Sequence, residues 1–219
     1  MGKRNTKNTK GKIITAAWKL FYEQGFDNTT IEDIVFESGT SNGSFYHYFT
    51  GKDALTETLS DMFDEKYQEL MKAADSGQDT IGRLIWLNRE LFDMIDRSIP
   101  AELLSRLLSS QLLNHGSSLL DHGRYYFRLL KSIITEGQKR SELRNDLSSD
   151  DILRDYAMLE RALMYDWCLH SGEYELTAYS GRILPAFLEQ YRTETGTAEK
   201  CGREQTQKQA DVKNIDNIR

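Results

Sequence analysis

Proline is nearly absent: Pro100 and Pro185 are the only two in 219 residues. Long stretches are therefore free of the residue that most strongly breaks a helix. Leu, Glu, Lys and Ala recur through those stretches, so the composition predicts an all-α chain. Cysteine is just as scarce. Cys168 falls in a helical pattern and Cys201 in a polar tail, and no disulfide is expected between them. The histidines (His47, His115, His122 and His170) are scattered. Neither a His-Glu-x-x-His pattern nor paired Cys-x-x-Cys is present, and Cys168 and His170 would point in different directions on a helix, so no metal site is expected. No apolar run reaches the ~18 residues of a transmembrane helix. The opening MGKRNTKNTKGK lacks the apolar segment of a signal peptide, which predicts a cytoplasmic protein with no membrane partner. Nucleophile-elbow and phosphate-cradling glycine patterns are missing too, and the many carboxylates read as solvated helix faces. The sequence therefore offers no catalytic constellation and implies no cofactor.

The net charge of −6 is unevenly spread. Lys3, Arg4, Lys7, Lys10, Lys12 and Lys19 precede Tyr22 without one acidic residue among them. Such a basic arm can track phosphates or enter a minor groove, and it equally suits a solvated, disordered terminus.

The densest information lies in TTIEDIVFESGTSNGSFYHYFTGKDAL, residues 29–55. Thr30 precedes the apolar positions Ile31, Ile34 and Val35, with Asp33 in the place of the acidic partner of a capping box, so a helix should start there. Gly39 should end it in a left-handed conformation. Ser41 then stands at a second N-cap. Asn42, Gly43 and Ser44 form a small, polar first turn, able to press close to base edges and phosphates. Phe45 and Phe49 share one face and should pack inward, leaving Tyr46 and His47 on other faces within reach of phosphate. Thr50 is expected to cap a further helix. Lys52 in its first turn opposes the helix dipole, a conflict that a bound phosphate would relieve.

This order of helix, turn, small-residue helix start and aromatic cluster resembles the DNA-binding domain of the tetracycline-repressor (TetR) family. The likeness begins at Ile14-Thr15-Ala16-Ala17, Leu20-Phe21 and Gly25-Phe26. It runs on through Thr29-Thr30-Ile31, Ile34, Gly39, Ser41, Gly43, Phe45-Tyr46, Tyr48-Phe49, Lys52 and Leu55. Ser38 and Thr40 depart from it, where the family often carries alanine and a small aliphatic residue. A second passage, Ile134 to Leu147, also resembles the family, with Ser141 where glycine is frequent. The resemblance implies a homodimer that places residues 41–46 of each subunit in the major groove of a near-palindromic operator. Carried over position by position, Thr40, Ser41, Asn42 and Ser44 are candidates for base edges. Gly43 permits close backbone approach, and Thr30, Tyr46, His47 and Lys52 are phosphate candidates.

The expected organisation is a helix-turn-helix domain with a basic arm at 1–55, a helical effector-binding and dimerisation domain at 56–192, and a disordered polar tail at 193–219. A long helix should run from Ala54, with later helices over 80–95, 101–113, 117–139 and 148–169 and a last one around Ile183 to Tyr191. Pro185 should kink that last helix or mark its start. The resemblance pairs the last two helices with their copies in a second subunit. The 56–192 domain is rich in rings, and Trp86, Tyr126 and Trp167 are the candidates for a pocket taking a small hydrophobic or aromatic effector. Glu160 and Arg161 interrupt an apolar helix as a ligand anchor, an interface ion pair or a polar edge. The function expected is that of a ligand-responsive repressor. The alternative is a DNA-bound activator or scaffold that recruits a protein partner without a small-molecule effector.

Overall fold

The structure, a computed structural model, describes residues 3–73, 77–113 and 119–193. Helices dominate, and no strand occurs among the described residues. Helix α1 spans Lys3–Gln24, α2 Ile31–Ser38 and α3 Asn42–Tyr48. Then follow a 3-10 turn at Asp53–Leu55, α4 at Thr58–Ala73, α5 at Thr80–Ser98 and α6 at Ala101–Leu113. Helices α7 (Tyr125–Lys139), α8 (Ser149–Leu169) and α9 (Leu176–Leu188) complete the order.

Two cores form. Ile13, Ala17, Phe21, Phe26, Ile34, Phe45, Phe49 and Leu55 bury one between α1, α2 and α3, joined by Leu103 of α6. The larger core starts at Leu59 and runs through α4 to α9. Trp18 packs at the edge of both and donates its indole N–H to Thr58 Oγ1 at 3.1 Å.

Four boundaries differ from expectation. The backbone is already helical at Lys3, so the basic stretch continues α1 instead of preceding it as an arm. The side chains of residues 3–8, the 194–219 tail with Cys201, and His115 lie outside the described residues. Thr50 caps no helix, and α4 begins only at Thr58. In between, Thr56, Thr58 and Ser60 each donate a hydroxyl to the carbonyl three residues back, at 2.7, 2.6 and 2.8 Å. Such local bonds compete with the α-helical ladder and suit a tight 3-10 turn.

Helix α7 starts at Tyr125, not near 117, and α9 at Leu176, before Pro185. Both starts are set by carboxylates on other helices. Asp64 of α4 accepts from Tyr125 N and Tyr126 N (3.1 and 3.3 Å) and pairs with Arg124 at 2.8 Å. Asp96 of α5 accepts from Leu176 N and Thr177 N, both at 2.9 Å. Glu142 likewise takes Thr80 N at the start of α5, at 2.7 Å. Pro185 sits inside α9, and the carbonyl deprived of its donor belongs to exposed Gly181, where water can take that bond.

Ser141, just beyond α7, has φ 59°, the left-handed region that glycine occupies without strain. That is the physical content of the glycine frequent at this place in the family passage.

Candidate nucleic-acid interface and a buried polar cavity

The turn between α2 and α3 is fixed by local bonds. Thr30 and Asp33 form a reciprocal capping box, Asp33 N to Thr30 Oγ1 at 3.1 Å and Thr30 N to Asp33 Oδ2 at 2.9 Å. Those bonds from Thr30 hold the Asp33 carboxyl below its usual range. Gly39 ends α2 at φ 61°. Ser38 and Thr40, the two departures from the family pattern, satisfy each other with a hydroxyl contact of 2.8 Å, and Ser38 also donates to Val35 O. Ser41 caps α3 by accepting from Ser44 N at 3.2 Å, and the two hydroxyls lie 3.0 Å apart.

Phe45 and Phe49 are buried, so α3 is anchored by one face and presents the other. Each such ring contributes on the order of 1.5–3 kcal/mol by burial. The outward face carries Asn42, Gly43, Tyr46 and His47, all exposed. The Asn42 amide makes no hydrogen bond among the described residues. A Cβ built on Gly43 would meet only Ser41 Oγ, at 3.9 Å, so the fold itself does not require glycine there. Thr30 is exposed, while Thr40 and Ser44 are half-buried.

Lys52 has partners within the chain that the sequence does not announce. Its ammonium donates to Phe26 O at 2.6 Å and Thr29 O at 2.7 Å, and lies 4.3 Å from the Phe26 ring centroid. Two main-chain carbonyls of the α1–α2 connection thus accept from its ammonium, which keeps one further N–H. Arg106 of α6 lies over the same ring at 4.2 Å and pairs with Asp27 at 2.5 Å, which docks the larger domain onto that connection.

The three ring candidates of the larger domain are not brought together. Trp86 is half-buried at the edge of the core. Trp167 donates its indole N–H to Tyr174 O at 2.8 Å, near the start of α9. Trp167 lines an open pocket with Asp93, Asp96 and Tyr174, and Tyr126 reaches a separate cavity beside Glu160, the residue the sequence marks as a possible ligand anchor. Glu160, 2% exposed, accepts from Tyr126 OH at 2.5 Å and from Asn88 Nδ2 at 2.8 Å. Asn88 Oδ1 accepts from Ser180 Oγ at 2.9 Å, so α5, α7, α8 and α9 meet in one polar chain. Burial pushes the Glu160 carboxyl above its ordinary range. The sequence marks Glu160 as a polar interruption of an apolar helix, whereas Asn88 is the partner it does not single out.

Residues 13–59 match the bacterial regulatory proteins of the tetR family. The solved Thermus thermophilus FadR, a TetR family transcriptional repressor in complex with lauroyl-CoA, superposes with a TM-score of 0.62 at 21% identity, covering 81% of this chain and 93% of that one. At that identity the likeness concerns the fold. The HTH-type transcriptional regulator TtgR of Pseudomonas putida is 27% identical over 119 residues, 54% of this chain and 55% of its own, so the match spans about half of that relative. YttP of Bacillus subtilis, described as a probable HTH-type transcriptional regulator, is 30% identical over 142 residues, 62% of this chain and 67% of its own. That likeness extends far beyond the helix-turn-helix unit, and the chain belongs to the tetR family of bacterial regulatory proteins.

Proposed function

We propose that the protein is a cytoplasmic repressor that binds a near-palindromic DNA operator as a homodimer and leaves it when a small hydrophobic or aromatic effector occupies the larger domain. The observation that carries the reading is the outward face of α3. Small polar residues stand at its exposed start, Gly43 has unused space, and the aromatic face behind them is locked into the core. In this reading Thr40, Ser41, Asn42 and Ser44 read base edges, while Thr30, Tyr46 and His47 meet phosphates. Lys52 joins them through its remaining N–H while it braces the α1–α2 connection.

The dimer is supported by α8, whose outward stripe of Met158, Ala162, Tyr165 and Leu169 is exposed at helical spacing. An apolar stripe of this kind suits a twofold pairing with its own copy. The effector reading is supported by the cavity at Glu160 and by the acyl-CoA bound to the Thermus relative.

Selection of binding sites from random duplex DNA tests the reading. A palindrome should be enriched, its half-sites about one helical turn or slightly more apart. Asn42→Ala should then cost about 1–3 kcal/mol and relax the preference at one operator position. Salt-sensitive binding without an enriched palindrome would refute the dimeric reader.

A further inference from the structure

The cavity beside Glu160 measures about 30 Å³. That is room for one water molecule or one ammonium head. Its walls include the rings of Tyr67 and Tyr126, whose centroids are 5.5 Å apart, and the side chain of Met164. Two features of it are unusual. The Tyr67 hydroxyl is fully buried and has no hydrogen-bond partner among the described residues. The Glu160 carboxylate is buried among neutral hydrogen-bonding groups, Asn88, Tyr126 and Tyr156, and no Lys or Arg among the described residues forms an ion pair with it.

Two cations line the cavity without pairing with Glu160, although the Arg161 charge favours its ionised form. Arg124 is engaged by Asp64, and Arg161 lines the cavity but is only half-buried, so water solvates it. A partly hydrated guanidinium costs little when unpaired, whereas a buried unpaired carboxylate costs several kcal/mol. The group with most to gain from a ligand is therefore Glu160. An anionic head would be repelled by it. An apolar chain would leave the carboxylate without a charged partner and the Tyr67 hydroxyl without any hydrogen bond. A protonated amine satisfies Glu160, donates to Tyr67 Oη and meets the Tyr67 ring, the Tyr126 ring already carrying Arg124 at 5.7 Å.

We propose that this cavity binds the protonated amine head of an organic cation, with Glu160 as its counter-ion and Tyr67 as its second acceptor. The inference deepens the effector reading above and rests on it. Met164, on an unbranched and adaptable side chain, is the part of the wall that yields to the apolar body of the ligand.

The test uses the full chain and three probes, 2-naphthylmethylammonium, 2-naphthylacetate and lauroyl-CoA, each titrated by calorimetry and added to the operator complex. The amine should bind and release operator, and the two anions should do neither. Glu160→Gln should weaken amine binding by about tenfold or more, and Tyr67→Phe by a few-fold, with circular dichroism confirming that both variants remain helical. Amine binding that both variants leave unchanged would overturn the proposal. Binding and operator release by either anion instead would also overturn it while sustaining the effector reading. If no probe binds or releases operator, the proposal falls together with the small-molecule reading.

Discussion

Gly43→Ala separates what the fold needs from what DNA needs. Gly43 is the second residue of α3, and its φ is not in the left-handed region. A Cβ placed there would be 3.9 Å from Ser41 Oγ, an ordinary van der Waals separation. Alanine also loses less backbone freedom on folding than glycine does, which favours the helix by roughly 0.5–1 kcal/mol. In a chain of this size, 1 kcal/mol moves the melting temperature by about 2–4 °C. The variant should therefore melt about 1–4 °C higher than the parent by circular dichroism. If the Gly43 backbone presses against DNA, the same methyl is an overpacked atom at the interface, with a cost of about 1–3 kcal/mol. Operator affinity, read by fluorescence anisotropy on the selected palindrome, should then fall roughly tenfold or more. A lower melting temperature would refute the clearance argument. Unchanged affinity in a stabilised variant would refute the close approach of Gly43 to DNA.

Other substitutions test other parts of the structure. Gly137→Ala should destabilise by about 1–3 kcal/mol in urea unfolding, because its Cβ would collide with the Thr80 side chain where α7 packs on the start of α5. Ser141→Gly should raise stability by about 1 kcal/mol in the same assay by relieving the positive φ, and no gain would mean that Ser141 is unstrained. Glu160 gives a pH signature. Its folded-state pKa lies above the ordinary 4.5, so between those values the folded chain binds more protons than the unfolded one and stability falls as pH rises. Glu160→Gln should flatten that part of the stability–pH profile, and a profile with the same slope in the variant would assign it to other groups.

The parts of the fold that were legible in the sequence are those whose partners are neighbours along the chain. Thr30 with Asp33, Gly39 at the end of α2, Ser41 with Ser44, and Ser148 with Asp151 each fix a helix end within a few residues. The starts of α7 and α9 were not legible, because their caps, Asp64 and Asp96, stand on helices dozens of residues away. The same limit governed the sites. The exposed residues of α3 could be placed on faces from spacing alone, but nothing near Lys52 in sequence announces that it reaches Phe26 O and Thr29 O. Trp86, Tyr126 and Trp167 were chosen as rings. The cavity beside Tyr126 is lined by a carboxylate and a tyrosine hydroxyl from different helices, a meeting that spacing along the chain does not show.

These distant partners also bear on how the two halves of the chain communicate. The carboxylates of Asp64, Asp96 and Glu142 and the Ser180–Asn88–Glu160–Tyr126 chain tie α4, α5, α7, α8 and α9 together through buried or half-buried polar bonds. Removing one partner of such a bond costs about 1–3 kcal/mol. That cohesion favours movement of these helices together over independent adjustment. Contacts from the larger domain to the helix-turn-helix unit mix polar bonds with apolar and ring contacts. They include Thr58 of α4 with Trp18, and Leu103 and Arg106 of α6 with the core and Phe26 of the smaller unit. Arg106→Ala removes the Asp27 pair and the cation over Phe26 without touching the cavity or α3. If α6 carries the effector's signal, that variant should keep its operator preference and its ligand affinity while the factor by which ligand weakens DNA binding shrinks. Thermodynamic linkage requires the factor by which DNA weakens ligand binding to shrink equally. A coupling factor unchanged in Arg106→Ala would exclude this contact as a carrier of the signal.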